Sequence, residues 1–305
     1  MSSHPTPGDA PVVPLSATPK TAPAEVFAVI SNETRLAILE ALWAAEMRPV
    51  TFSDLHRAVG MKDSAQFNYH LRQLLDRFVK KSDDGYDLTF AGKRVMRTLI
   101  SGMFTDDVSI DAFPLPGTCV SCGETLVATY EREHLTVACP ACDRVHSAYP
   151  YPPAGIYGRT RDELMAGYNR WVRHLYGLAA NGVCPECGSS MGSKIVDGEH
   201  CLPELEIAVS HRCVQCDASA IAAVGMTLLD QPDVVSFYRD HGIDLRTIPY
   251  WELPWCVGDE HTTVIQDDPW MARVDISLEA EELRVTLDDT FDVVAVERAK
   301  SYRRE

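Results

Sequence analysis

The sequence predicts an α+β chain built from several small modules. Three observations lead there. Apolar residues recur at helical spacing between Ala24 and Gly102. Eight of the ten cysteines fall into four C-x-x-C pairs. Alternating apolar and polar runs then close the chain. At 305 residues, two or three domains are expected. Hydrophobic residues make up 46%, enough to build cores. No apolar run approaches the roughly 18 residues that a membrane span needs.

Residues 1–23 are rich in Pro, Ser, Thr and Ala and lack periodicity, which predicts a disordered tail. They also lack the basic-then-apolar order of a secretory signal, so a cytoplasmic location is expected. The formal net charge is -16, but it is unevenly spread. Ala24 to Gly102 holds 11 Lys and Arg against 10 Asp and Glu, and residues 103–305 hold 16 against 33. Only 7 of the 28 basic residues are Lys. Acidity with few lysines suits a halophilic, high-salt cytoplasm, where phosphate binding gains less from counterion release.

Residues 24–102 read as one domain. Val26, Phe27, Val29 and Ile30 form a short apolar helix. Ser31 or Asn32 caps the next, with Leu36, Leu39, Leu42 and Trp43 inward. Thr51 to Val59 makes a third, with Phe52, Leu55 and Val59 inward, and Gly60 ends it as a left-handed cap. The stretch M-K-D-S-A-Q-F-N-Y-H-L-R-Q-L-L-D-R-F-V-K-K, Met61 to Lys81, follows at once. Asp63 or Ser64 can cap its helix. Phe67, Leu71, Leu74, Leu75 and Phe78 share one face. The other carries Ser64, Gln66, Asn68, Tyr69 and Arg72, whose amide, hydroxyl and guanidinium groups can meet base edges and phosphates. An ordinary amphipathic surface helix would read the same way, so the flanks decide. A short helix, a tight turn and a polar-faced helix make a helix-turn-helix. V-K-K-S-D-D-G-Y-D-L-T-F adds two strands around an Asp-Asp-Gly turn, a wing with Lys80 and Lys81 at its base for phosphates. Thr89 to about Gly102 returns to helix, with Val95, Met96, Leu99 and Ile100 apolar.

The phrases N-E-T-R-L-A-I-L-E-A-L and N-Y-H-L-R-Q-L, in the order helix, helix-turn-helix, wing, final helix, carry a resemblance. Over Pro23 to Gly102 the chain resembles the ArsR-like winged-helix repressors. With the cysteine modules that follow, the arrangement is similar to halophilic archaeal regulators of this kind. The resemblance implies a homodimer built on the first and last helices of the segment. It also implies reading of double-stranded DNA by the 64-to-72 face. Metal-sensing members carry cysteines in the helix before the reader. T-F-S-D-L-H-R-A-V has none, so the winged helix itself is not expected to sense metal.

Residues 103–117 are acidic and Pro-containing and read as a linker. In 118–150, Cys119 and Cys122 are followed by Cys139 and Cys142, with strand candidates Leu126 to Tyr130 and Leu135 to Ala138 between them. Two knuckles joined by a hairpin make a zinc ribbon, in which four thiolates surround one tetrahedral Zn²⁺. Gly123 and Pro140 suit the knuckle turns. His134 and His146 lie nearby and are left outside a shell that four cysteines complete. Residues 151–183 form a helical connector. Thr160 and Glu163 make a capping box, Leu164, Tyr168, Trp171, Leu175 and Leu178 a stripe, and Gly182 a stop. Arg170 and Arg173 could touch nucleic acid, though a solvated face is the plainer expectation.

The cysteine pattern repeats in 184–225, with Cys184, Cys187, Cys213 and Cys216 around a strand candidate, Glu204 to Ser210. This predicts a second ribbon and a second structural zinc. His200, Cys201 and His211 are competing ligands within its loop. In 226–305, Pro232 opens a helix through about Arg239, with Val234, Val235, Phe237 and Tyr238 apolar and Gly242 after it. Strands follow at Thr262 to Ile265, Arg273 to Leu278, Leu283 to Leu287 and Phe291 to Val296, with Ala280-Glu281-Glu282 as a turn. They make a small antiparallel sheet with one wet face. The last residues, from Glu297, read as a polar tail.

These modules point to a transcription regulator rather than an enzyme. Full four-cysteine sets leave no open coordination position for catalysis, and no G-x-S-x-G, H-E-x-x-H or Walker loop is present. The acidic C-terminal half favours a second reading, a protein-interaction adaptor of the transcription machinery that uses the winged helix and zinc ribbons, the winged helix binding polymerase or another protein. A third uses a ribbon cysteine pair or the lone Cys256 as a thiol redox sensor.

Overall fold

The computed structural model describes residues 22–198 and 205–300. The expected tail falls outside them, except that Ala22 and Pro23 already cap and open the first helix. His200 and Cys201 also fall outside. The chain is mixed α and β and divides into two compact units, Met1–Ile100 and Ser101–Glu305. No helix among the described residues is long and apolar enough to cross a membrane.

The first unit holds α1 (Pro23–Ile30), α2 (Glu33–Ala44), α3 (Phe52–Val59), α4 (Ser64–Leu74), β1 (Val79–Ser82), β2 (Gly85–Leu88) and α5 (Phe90–Ile100). Asn32 caps α2 through Arg35 N–H, and Thr51 caps α3 through Asp54 N–H. Gly60 takes φ 71° and turns the chain into α4, as its sequence position predicts. Asp63 Oδ1 accepts from the Ala65 and Gln66 amides at 2.8 and 3.1 Å. Asp63→Ala is therefore expected to cost about 1 kcal/mol, read as a lower first-unit transition in thermal melting.

Inside α2 the buried residues are Ile38, Leu39 and Leu42, while Leu36 and Trp43 are only half-buried. Phe67, Leu71 and Leu74 carry α4 into the same core, together with Leu55, Phe78, Val79, Leu88 and Met96. β1 and β2 pair antiparallel with Ser82 opposite Gly85, leaving Asp83-Asp84 as the loop. Gly85 needs its identity: a Cβ there would stand 2.4 Å from the Val50 carbonyl oxygen. α1 and α5 keep large apolar side chains in solvent. Phe27 is 68% exposed, Phe90 71% and Ile100 52%.

The second unit departs from the expected string of separate modules. Residues 110–117, expected within a linker, belong to strand β3 (Ile110–Thr118). Phe113 and Leu115 alternate inward while Pro114 and Pro116 face out. The prolines are tolerated because β3 is an edge strand and owes no amide to an outer neighbour. β4 (Thr125–Glu131) and β5 (His134–Ala138) are the expected hairpin, turning on Arg132 and Glu133, both with positive φ. β6 (Val145–Pro150) was not expected and completes the sheet order β3-β4-β5-β6.

α6 (Arg161–Ala180) starts at the expected capping box. Its buried face is not the expected stripe. Leu164, Tyr168 and Leu175 are buried, but Trp171 is 40% exposed and Leu178 half-buried. Met165, Val172, Tyr176 and Ala179 take their places. The Tyr168 hydroxyl donates to Leu135 O of β5 at 2.9 Å. The Tyr176 hydroxyl meets His211 Nε2 of the second sheet at 2.9 Å. One helix thus joins two sheets. Arg173, expected on a solvated face, lies on this buried side at 9% exposure.

The second sheet runs β7 (Met191–Asp197), β8 (Ile207–Cys213), β9 (Ser219–Ala223). Its middle strand alone matches the expected candidate. α7 (Pro232–Asp240) buries Val234, Phe237 and Tyr238. The aromatic run before and into α8 (Pro254–Val257) buries Tyr250, Trp251 and Trp255. The last sheet is β10 (Thr262–Asp267), β11 (Trp270–Leu278), β12 (Glu281–Leu287) and β13 (Val293–Lys300), in that order. Val274 faces Val285 and Ile276 faces Leu283 on the core side. The β11–β12 turn is Glu279-Ala280, not the three residues expected, and Glu281 and Glu282 belong to β12. β13 extends through much of the expected polar tail. One apolar core unites these pieces, with Cys119, Cys139, Cys184 and Cys213 among its buried members.

Candidate functional site

The four C-x-x-C pairs fold alike. In each, the first cysteine's N–H donates to the carbonyl five residues on: Cys119 to Glu124, Cys139 to Arg144, Cys184 to Ser189 and Cys213 to Ala218, at 2.8–2.9 Å. The residue after the second cysteine is left-handed: Gly123 (φ 76°), Asp143 (60°), Gly188 (76°) and Asp217 (63°). Glycine adopts this freely, and aspartate is among the few other residues that visit it. The two glycines are legible as turn residues; the two aspartates do the same job without that signal.

The knuckles face each other across a short gap. Cys119 Sγ lies 3.7 Å from Cys142 Sγ, and Cys122 Sγ 3.4 Å from Cys139 Sγ. In the second group Cys184 and Cys216 sulfurs are 3.6 Å apart, and Cys187 and Cys213 sulfurs 3.5 Å. All four sulfurs of each group lie within 4.8 Å of one another, so each group could hold a metal ion. The first cysteine of every pair is buried and the second exposed. The Cys216 amide, then the Gln215 amide, outweigh burial and bring the Cys213 thiol down to about 6. Burial opposes ionisation of Cys139, but the Ala141 and Cys142 amides win and lower it to about 7. Knuckle amides therefore favour the thiolate at Cys139 and Cys213.

Histidines stay outside both groups. His146 is buried, with Nδ1 3.1 Å from Trp251 O and Nε2 3.4 Å from Cys119 Sγ. It contacts a sulfur of the first group without joining the set. His134 Nδ1 instead meets Arg132 O on an exposed turn. His211, a competing ligand by sequence, is held between Ser193 Oγ (2.7 Å) and the Tyr176 hydroxyl, and burial drops its pKa to about 4. Cys256 is 2% exposed and burial pushes its thiol well up, which suits packing rather than redox chemistry. Arg144, which sequence reasoning passed over, is buried and ties the first knuckle region to the C-terminal half through Glu260 Oε1 (2.9 Å) and Val257 O (3.1 Å). Only the fold brings these distant positions together.

In the first unit, Ser64, Gln66, Tyr69 and Arg72 are exposed on α4, and Asn68 is half-buried. Tyr69 is 58% exposed. Lys80 and Lys81 are exposed on β1; Lys80 Nζ lies 3.4 Å from Asp87, and Lys81 Nζ 5.8 Å from the Tyr86 ring centre.

Residues 23–99 match the family described as Domain of unknown function (DUF7347). Residues 116–293 match another, Domain of unknown function (DUF7351). No curated protein and no solved structure matches the chain. With more than half its length covered by that second match, the chain belongs to the family Domain of unknown function (DUF7351).

Proposed function

We propose that this protein is a sequence-specific DNA-binding transcription regulator. In this reading the first unit is a winged helix-turn-helix, and two structural zinc ions hold the second. The observation that carries it is the α4 surface. A helix entered through a tight glycine turn exposes hydroxyl, amide and guanidinium groups rather than Glu and Lys, with two lysines on the adjoining hairpin. Such groups can read major-groove edges and hold phosphates. Exposed Phe27, Phe90 and Ile100 on the first and last helices supply an apolar surface for pairing two copies.

Zinc fits both cysteine groups. Sulfurs 2.3 Å from a tetrahedral Zn²⁺ stand about 3.8 Å apart, close to the 3.4–3.7 Å found here. Four thiolates close the coordination shell, which favours a structural ion over a catalytic one.

Asn68→Ala and Arg72→Ala should each weaken specific duplex binding by about 1–3 kcal/mol in fluorescence anisotropy at the native ionic strength, with zinc content unchanged. Variants that bind every duplex as the parent does would refute the α4 assignment. The acidic second unit favours one runner-up, an adaptor of the transcription machinery. It predicts that the winged-helix unit recovers RNA polymerase from nuclease-treated extract, with no DNA present.

A further inference from the structure

We propose that the second unit binds a small organic monocarboxylate in a cavity walled by α6 and the segment before α8, with Arg173 and Trp251 as its anchors. The cavity holds about 800 Å³, within the range of small-molecule sites. Arg173 and Trp251 both line it.

Arg173 is 9% exposed and its hydrogen-bond partners are all neutral. Nε donates to Asn169 Oδ1 at 3.1 Å, and Nη2 to Leu245 O and Ile248 O at 3.0 and 2.8 Å. Nη1 has no partner among the described residues. Trp251 is 1% exposed, and its Nε1 also lacks one. Buried donors left unpaired are costly, and a buried unpaired charge more so. A neutral acceptor would satisfy the hydrogens and leave the charge. A carboxylate does both: one of its oxygens can accept from Nη1, the nitrogen left free, and its charge offsets that of the guanidinium.

The rest of the wall sets the ligand's class. Phe113, Leu115, Met165 and Pro249 give it an apolar lining for an aromatic or aliphatic body. The Arg161 guanidinium sits 4.9 Å from the Phe113 ring centre. Four arginines line the cavity, but so do four carboxylates, those of Asp162, Asp230, Asp244 and Glu252. Arg246 is already taken by Asp244 at 2.9 Å. With the formal charges balanced, the free Arg173 nitrogen serves a single negative charge on the ligand and the lining has no net positive charge to offset a second. The site does not depend on the first unit, and its test contains no duplex.

The test titrates the full-length, as-purified protein with benzoate, phenylacetate and octanoate by isothermal calorimetry and melting temperature. Benzamide serves as the uncharged control and inorganic phosphate as the dianionic one. At least one carboxylate should saturate at one per chain, about tenfold or more tighter than benzamide and phosphate. Arg173→Gln should weaken it similarly. Because Arg173 is buried, Ala166→Trp provides a second variant: Ala166 lines the cavity but is exposed, so a bulky side chain can fill the mouth without disturbing the core. Carboxylate binding should be lost in Ala166→Trp while its ligand-free melting temperature stays at the parent value. Saturation by none of the carboxylates, equal binding of benzamide or phosphate, or full binding by Ala166→Trp would each overturn the proposal.

Discussion

Chelating the metal is expected to unfold the second unit and leave the first standing. Cys119, Cys139, Cys184 and Cys213 are core members at 1–4% exposure, so both metal groups are continuous with the hydrophobic interior. A structural zinc contributes about 10–16 kcal/mol of apparent binding free energy. That is comparable to the whole stability of a typical domain, about 5–15 kcal/mol. Removing two such ions cannot be absorbed by packing alone. Near-ultraviolet dichroism and fluorescence from buried Trp251 and Trp255 should collapse, while the helical far-ultraviolet signal of α1 to α5 persists. Elemental analysis should find about two zinc ions per chain before chelation, and Cys139→Ser should lose one of them. A metal-free chain with unchanged aromatic signals would disprove the structural role. Acid should act as a chelator does, because thiols must lose their protons to bind metal and falling pH returns them.

The second large effect is expected from Phe67→Ala. Phe67 is fully buried on α4, edge-on to Phe52 at 5.2 Å and 4.9 Å from the His56 ring. Truncating a buried phenylalanine costs about 3–5 kcal/mol through lost transfer energy and the cavity left behind. At about 0.05–0.15 kcal/mol per residue, a unit of this size has roughly 4–12 kcal/mol to lose. Urea denaturation should show the first-unit transition moved strongly down and the second unmoved. Tyr69→Ala, two residues along and 58% exposed, should leave both transitions near the parent. The pair separates the packing face of α4 from its outer face; equal destabilisation by both would show that the helix is oriented differently.

Much of the first unit was legible because its signals are local. Asn32, Thr51 and Asp63 cap helices through amides two or three residues away, and Gly60 turns where glycine is the easy choice. The cysteine groups were legible for a similar reason, since each C-x-x-C is a self-contained knuckle and four knuckles make two pairs. Within α6, by contrast, the apolar pattern suited more than one face. Tyr and Trp at helical spacing suggested Trp171 inward, but hydrogen bonds from Tyr168 to β5 and Tyr176 to β8 turn that helix so that Trp171 looks outward. β3 was masked by its prolines, which only an edge position permits. β7 and β9 were masked by small residues with weak alternation.

From the sequence by itself came the order of helices in the first unit, the α6 capping box, the turn at Asp83-Asp84, and the eight cysteines as two sets of four. Tertiary structure alone decided that the two four-cysteine modules share one core instead of standing as beads on a string. It also decided that Arg173 goes inside, and that His146 touches the Cys119 sulfur while His211 meets Ser193 and Tyr176 instead. The division follows from range. A cap or a knuckle is satisfied by amides a few residues away, whereas the surroundings of Arg173 are assembled from Asn169, Leu245 and Ile248, which meet only when α6 and the later chain pack together.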